Sequence, residues 1–520
     1  MLVTIFKRNI LRNLIFIVFI LFNSIGFGQL IYQKPDLNRI NRANSQVEVA
    51  ALLIDVDIDF FEESSLISLN GEEAYELIIQ VQDAKRLNVY FDFLKINKTS
   101  TLKVYNESEE LVTTINSHSN PNDGLYAIQP YKGSLLRFVF KGNKTESKIL
   151  IGEVGFFLRS FDDIVTSGFC EVDVSCSEGT QWSDQKNGVV LLLLRTNSSV
   201  VYCSGTLINN TARNCIPYVL SADHCIENIS ANNLQQSSAY FNYENSLCNL
   251  ENANLDNFIL GMTFRASSSF NNGSDLLLLE LNKTIPSDFK PFFNGWNKSE
   301  SFFSSGASIH HPKGNVKKIS TYNSNLLSAN QDGLTEDAYW EVTWTETING
   351  HGVTETGSSG APIFNQEKLV VGALSVGTSF CNKPEDPDYY GKLSYSWNNQ
   401  LDSSKRLDVW LDPLQTDEEY MTGSYFPCND TTESYVPIDS ISVHLNLVSD
   451  KISLLVEQSV SNSVHVNLYD ISGKIVANRE ELPSNITLVE FSTKNMEDGM
   501  YVLVVEAGGN KRVFKIIVVN

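Results

Sequence analysis

TETGSSGAPIF, residues 354–364, sets two serines between two glycines and then runs into an apolar stretch. A Gly-Ser cluster by itself is most often a solvated turn, because glycine admits positive φ and serine bonds locally to the backbone. The residues that follow narrow this reading. Ala361, Pro362, Ile363 and Phe364 lead towards LVVGALSVG (369–377), a pattern of two buried strands joined by a polar turn at Asn365 to Lys368. One of the serines then sits in a tight turn that feeds a core strand. It is a candidate nucleophile only if the rest of the chain supplies a base and an acid to orient that base.

YVLSADHCI (218–226) puts His224 at the end of an apolar strand and beside Cys225. Of the seven histidines it is the one in a setting suited to proton transfer. Upstream, CSGTLINN (203–210) offers Cys203 to bridge back to Cys225 and pin the turn that carries the imidazole. In GSDLLLLEL (273–281) Asp275 is a lone carboxylate opening a strongly apolar strand. Burial there is costly unless the carboxylate bonds to a group such as an imidazole N–H. Asp223 is nearer to His224 in sequence, but adjacent side chains on a strand or turn project in different directions.

Composition bounds what these residues belong to. The chain has 520 residues, 42% hydrophobic and 19% charged, which suggests about three domains. Lys7, Arg8 and Arg12 precede an apolar run from Leu14 to Phe22, then Gly26 and Gly28, which reads as a signal peptide cut after Gly28. The run is too short for a membrane anchor, which needs roughly 20 apolar residues. A net charge of -22 argues against a nucleic-acid partner, for which a basic face is expected. The eight cysteines lie at 170, 176, 203, 215, 225, 248, 381 and 428, an even number that implies disulfides in an exported chain. None falls before 170 or after 428, and all six tryptophans lie within the same limits, which marks out one domain. On either side, RLNVYFDFLKI (86–96), SLLRFVFKG (134–142) and VHVNLYDISGKIV (464–476) alternate in the manner of antiparallel strands. The expected division is 1–28 signal peptide, 29–166 β-rich flank, 167–428 central domain, 429–440 linker and 441–520 a small C-terminal β-sandwich.

The order His224, Asp275, Ser359 is that of the trypsin and chymotrypsin class of serine proteases. SADHC, SDLLLLEL and GSSGAP resemble that class's histidine, aspartate and nucleophile signatures. Within the class, CEVDVSC (170–176), FNYENSLC (241–248), SIHHPKG (308–314), GVTETGSSGAPIF (352–364) and YYGKLSYSW (389–397) most resemble the bacterial lysyl endopeptidases. The resemblance covers 167–428 and implies an all-β fold of two six-stranded barrels. It also implies a secreted endopeptidase in which His224, Asp275 and Ser359 form the triad. Gly357 and Ser359 N–H groups would line the oxyanion hole, and Ser375, Val376 and Gly377 the edge on which substrate lies. Asp388, two residues ahead of Tyr390-Gly391, would close a pocket for lysine, with arginine a weaker second choice; Glu385 and Asp386 are rivals for that role. The family pattern pairs Cys170 with Cys381, Cys176 with Cys248 and Cys203 with Cys225, leaving Cys215 and Cys428 as a fourth pair by parity. Neither metal nor cofactor is implied, and the partners expected are protein or peptide substrates acting on a monomer.

Three residues depart from the pattern. Ser358 replaces the aspartate that captures the new N-terminus in trypsin-like zymogens, Asp223 replaces an uncharged residue, and Ser375 stands where the lysyl endopeptidases usually carry histidine. The stretch 29–166 resembles the propeptides of such proteases, with a substrate-binding module as the rival reading. The last 80 residues, ending in KIIVVN, resemble the sorting domain of the type IX secretion system, with an adhesion sandwich as the rival. These features imply a secreted or surface-bound zymogen. The alternative of another class is an inactive protease fold kept for surface binding. A metal enzyme is disfavoured, since His310 and His311 are adjacent and face opposite sides of a strand.

Overall fold

The alternating stretches form strands, and among the described residues no α-helix exceeds the five residues of Ala231–Gln235. The computed structural model describes residues 28–40, 47–159, 167–227, 229–329, 331–428, 441–448, 451–471, 473–494, 496, 499–507 and 510–518. The expected signal peptide before Gly28, the linker 429–440 and the expected junction at Thr166 lie outside these. Two compact units divide at Asn429/Asp430.

In the first unit, residues 28–159 make a β-sandwich. One sheet contains Glu72–Val81, Leu135–Lys141 and Thr101–Asn106, and the other Glu48–Asp59, Lys148–Phe157 and Arg86–Lys95. Leu77, Ile79, Phe138 and Phe140 from the first face Val89, Phe91, Ile149 and Ile151 from the second. Full burial of each such side chain contributes about 1.5–3 kcal/mol.

Residues 189–281 close the first barrel. Val189–Arg195 pairs with Ser199–Leu207, which pairs with Tyr218–Ala222 and then Leu276–Leu281. The strand interrupted at Gly261 completes the ring: Met262–Ser267 pairs with Leu276–Leu281, and Phe258–Leu260 with Ser238–Tyr240, which returns to Val189–Arg195. LLLLEL supplies Leu277 and Leu279 to one core and Leu276 and Leu278 to the other, as the two-residue period of a strand buried on both faces requires.

The second barrel runs Lys318–Tyr322, Gly306–His310, Pro362–Phe364, Val370–Gly377, Asp388–Lys392 and Tyr339–Val342. It closes where the Thr345 N–H donates to the Thr321 carbonyl at 2.8 Å. Four disulfides join Cys170 to Cys381, Cys176 to Cys248, Cys203 to Cys225 and Cys215 to Cys428.

The N-terminal sandwich and the first barrel share a sheet. Glu48–Asp59 lies antiparallel to Ser199–Leu207, with Ala51 opposite Val200 and Glu48 opposite Tyr202. Ala51, Leu53, Tyr90 and Phe157 pack with Leu191, Leu193, Val200 and Tyr240 in one core. Arg195 pairs with Glu153 and stacks over the Tyr90 ring. The second unit is folded around two long strands, Lys451–Asp470 and Ile475–Ser492. The first half of Lys451–Asp470 pairs with Ile441–Val448 and its second half with Gly499–Ala507. Ile452, Val489 and Phe491 meet Leu468, Leu503 and Ile516 in its core.

Candidate active site

The apolar strand Tyr218–Ala222 ends in the 3-10 turn Asp223–Ile226, which carries His224. The Cys203–Cys225 disulfide holds this turn against the strand Ser199–Leu207. Asp275 opens Leu276–Leu281, the neighbour of Tyr218–Ala222, so the two side chains meet at one end of the barrel. His224 Nδ1 lies 2.6 Å from Asp275 Oδ2, and the His224 N–H donates to Oδ1 at 3.0 Å. Both side chains are buried. Asp275 has φ 54°, a left-handed conformation that aspartate tolerates better than most residues, and its carbonyl accepts the Asp223 N–H at 2.9 Å. Asp223 bonds to Ser267, and burial, ahead of the nearby Asp275 charge, raises its pKa.

Asp275 has a further partner. Ser375 Oγ donates to Oδ2 at 2.6 Å. The pairing of Val370–Gly377 with Asp388–Lys392 shifts register between Leu374 and Val376, a bulge that re-aims the serine. Ser375, read from the sequence as part of the substrate edge, thus also fixes the acid. A Ser at that position carries no spacing signal for the contact, because the two residues are 100 apart in the chain.

The turn 354–360 packs against Ser204 and the end of the strand Tyr218–Ala222. The Ser359 carbonyl accepts the Ser204 N–H at 2.8 Å, and the Gly357 carbonyl accepts the Ser204 hydroxyl at 3.0 Å. Gly357 has φ +91°, and a Cβ there would come within 2.9 Å of the Lys313 nitrogen, so only glycine fits. Among the described residues the N–H groups of Gly357 and Ser359 have no acceptor. His224 Nε2, the nitrogen not facing Asp275, is buried and has no hydrogen-bond partner among the described residues. No hydrogen bond joins it to Ser359 Oγ among the described residues; such contacts commonly tighten only once substrate is bound.

Asp388 is completely shielded from solvent and accepts five hydrogen bonds. Oδ1 takes the N–H groups of Thr378 at 2.8 Å and Ser379 at 2.9 Å. Oδ2 takes Trp344 Nε1 at 2.6 Å, Thr354 Oγ1 at 2.8 Å and Ser379 Oγ at 2.7 Å. Burial pushes its pKa up, opposed by these donors. Gly377 lies opposite Asp388 in the sheet, and a side chain there would run against Thr354 Oγ1 and the carboxylate. Glu385, one rival, has its side chain 79% exposed, and Asp386 is half-buried. Trp344, Thr354 and Ser379 were not legible as partners, since they come from three other segments of the barrel. His310 and His311 diverge: His310 meets Ser358 and Ser320, while His311 Nδ1 donates to the Asn315 carbonyl at 2.9 Å.

Known proteins can be set beside this geometry. Residues 164–391 match the family profile of the lysyl endopeptidase C-terminal domain, and residues 446–519 that of the secretion system C-terminal sorting domain. A lysyl endopeptidase of Pseudomonas aeruginosa is 29% identical over 266 residues, 48% of this chain and 55% of that protein, so the chain spans about half the length of this relative. Among solved structures, protease Anisep from Arthrobacter nicotinovorans overlaps 40% of this chain and 90% of its own at 14% identity and a TM-score of 0.31. The secreted serine protease VesC from Vibrio cholerae overlaps 64% and 68% at 16% identity and a TM-score of 0.28. The chain thus carries a region similar to the lysyl endopeptidase C-terminal domain followed by one similar to the secretion system C-terminal sorting domain, which places it at the cell surface or in the medium.

Proposed function

We propose that the protein is a serine endopeptidase that cleaves after lysine through an acyl-enzyme. The observation that carries this reading is the buried His224–Asp275 pair, whose Nε2 has no hydrogen-bond partner among the described residues, beside a turn whose Ser359 and Gly357 carbonyls are held by Ser204. His224 takes the Ser359 hydroxyl proton as Oγ attacks the peptide carbonyl, and later gives it to the leaving amine. Asp275 fixes Nδ1 as the protonated nitrogen and stabilises the transient imidazolium. The N–H groups of Gly357 and Ser359, having no acceptor among the described residues, are available to the oxyanion.

Lysine follows from the chemistry of Asp388. Its donors are two backbone N–H groups, an indole and two hydroxyls, and among the described residues it forms no ion pair. A buried carboxylate held only by neutral dipoles is short of a counter-charge, which a substrate ammonium supplies. The Thr354 and Ser379 hydroxyls can rotate to accept from that ammonium while remaining beside the carboxylate. A compact ammonium suits such a site better than a planar guanidinium.

The sandwich 28–159 is proposed to act as a propeptide that leaves the mature enzyme beginning between Thr166 and Cys170 and ending near 428–440. Since no cysteine precedes Cys170, the released sandwich would be held by non-covalent contacts alone, the strand pairing, the shared core and the Arg195–Glu153 pair among them. The decisive experiment is labelling of purified, processed protein with a fluorophosphonate probe. An adduct on Ser359 is expected, and its absence would favour the inactive surface-binding reading. Intact mass of the secreted form tests the processing sites, and a secreted chain that still carries 441–520 would count against removal of the sorting domain.

A further inference from the structure

His310 is a buried histidine for which the proposed chemistry has no use. It ends the strand Gly306–His310, is wholly shielded, and is held at both ring nitrogens. Nδ1 lies 2.8 Å from Ser358 Oγ, and Nε2 lies 3.2 Å from Ser320 Oγ. These partners determine where the protons are. Ser320 Oγ donates to the Val353 carbonyl at 2.8 Å, so towards His310 it can only accept, and Nε2 must carry the hydrogen. Nδ1 is then an acceptor. The Ser358 hydroxyl, which accepts the Glu355 N–H at 3.3 Å, has its own proton free to donate to Nδ1. A directed chain results, from Ser358 through His310 and Ser320 to the Val353 carbonyl.

The two ends of that chain are the two ends of one loop, 353–358. Within the loop, Thr354 donates to Asp388 and Gly357 carries one of the N–H groups assigned above to the oxyanion. Ser358 directly precedes Ser359. We propose that His310, as a neutral Nε2–H imidazole, is a positioning residue that pins both ends of the loop 353–358 and thereby aims the oxyanion donors. This inference rests on the endopeptidase reading for its kinetic consequence, but not for the tautomer itself.

The charged and titratable groups facing the ring agree with a neutral state. Burial first, and the Lys318 charge second, bring the His310 pKa down to about 3. Glu171 Oε2 lies 3.8 Å from Nε2, and neither Glu171 oxygen has a hydrogen-bond partner. Burial, with Glu355 and Asp388 adding repulsion against the opposing charges of Lys318 and Lys313, raises the Glu171 pKa well above the usual range. This favours the uncharged form of Glu171 and weakens its pull on a proton at the ring.

Three measurements test the proposal on the full chain and on its processed form. Long-range nitrogen correlation of ring-labelled protein should show one imidazole fixed as the Nε2–H tautomer from pH 5 to 9, and that signal should vanish in His310→Asn. In kinetics on lysyl peptides, His310→Leu should lower kcat about 10- to 100-fold, the scale of a misplaced reacting group, with KM changed less than threefold. Affinity for a peptide aldehyde, which forms a tetrahedral adduct, should fall by the same factor as kcat/KM. His310→Asn, which keeps an acceptor for Ser358, should recover part of the loss, and Ser358→Ala should show the same split if His310→Leu fails to fold. A ring that titrates near 6.5, an Nδ1–H tautomer, or folded variants with unaltered kcat would overturn the proposal. An unprocessed or unlabelled wild type would instead speak against the endopeptidase reading, and the tautomer measurement would then decide the clamp by itself.

Discussion

Asp275 in the first barrel and Asp388 in the second are both cut off from solvent, yet their partners differ in kind. Asp275 has three donors, two of them from His224, and the third is Ser375. It is arranged around a single ring that can take up positive charge. Asp388 has five donors drawn from three segments, all of them neutral. The first carboxylate therefore has its counter-charge built in, to appear when the imidazole is protonated. The second is kept ionisable by dipoles alone and must find its counter-charge outside the fold. Two acids of equal burial thus differ in the kind of partner they keep, and the proposed function gives one the task of orienting a base and the other that of selecting a cation.

Breaking the first arrangement should cost most. Ser359→Ala and His224→Ala should each lower kcat about 10⁵- to 10⁶-fold, the first without moving the melting temperature, and the double variant should be no worse in kcat than either, because the groups act as a unit. Asp275→Asn should cost about 10⁴-fold in kcat, since the amide favours the wrong imidazole tautomer. Steady-state kinetics against a lysyl peptide, checked by active-site titration, measures all of these. A fall of less than tenfold for Ser359→Ala would refute the triad.

Breaking the second arrangement should show in substrate choice. Asp388→Asn leaves the incoming ammonium buried and uncompensated, a penalty of roughly 3–5 kcal/mol, or about two to four decades in kcat/KM for lysyl substrates. Hydrolysis of an activated ester lacking a charged side chain should change far less. The pH dependence has a definite sign. Burial raises the Asp388 pKa above the ordinary carboxylate value, and only the ionised form holds an ammonium. As pH falls through that raised value, KM for lysyl substrates should climb, and Asp388→Asn should lose this limb. In the free enzyme, stability falls as pH rises from the ordinary carboxylate pKa through the raised one, because the folded state binds the proton more tightly. A simple alkylamine should therefore raise the melting temperature more at pH 7 than at pH 4. A peptide-library profile dominated by cleavage after glutamate or large apolar residues would show that the pocket has been misread.

The sequence carried the barrels and the site residues unevenly. LLLLEL and YVLSA were legible as strands because burial on both faces leaves an unbroken apolar run, and GSSGAP was legible because the turn demands its glycines. The continuity between Glu48–Asp59 and Ser199–Leu207 was not, since edge pairing leaves no mark on either strand beyond ordinary alternation. A boundary at 166 therefore describes the chain's composition but not its sheets, which run from one side of it to the other. The partners of Asp388 were hidden for a related reason: Trp344, Thr354 and Ser379 are up to 44 residues away, and only closure of the barrel brings them together. His310 was read only as half of an adjacent histidine pair. Its contact with the residue beside the nucleophile depends on the pairing of Gly306–His310 with Pro362–Phe364, which spacing does not reveal.

Ser375 sharpens the comparison with the smallest expected effect, because it stands between the two acids. Its hydroxyl bonds Asp275, while two residues further on Gly377 lies opposite Asp388. Ser375→Ala removes one of three donors to the catalytic carboxylate and leaves the strand's backbone in place. The two remaining bonds both come from His224, so the tautomer should survive. What is lost is a hydrogen bond to a charged group, about 1.5–3 kcal/mol if felt in full, and less here because the space opened by the missing hydroxyl can admit water. A loss in kcat of about tenfold is expected, with KM for lysyl peptides and the preference for lysine unchanged. Ser375→Thr, which restores the hydroxyl, should recover most of the rate. If Ser375→Ala instead raised KM or relaxed the specificity, the serine would serve the substrate edge and not the acid, and the separation between the two carboxylate sites would be less complete than their hydrogen bonds suggest.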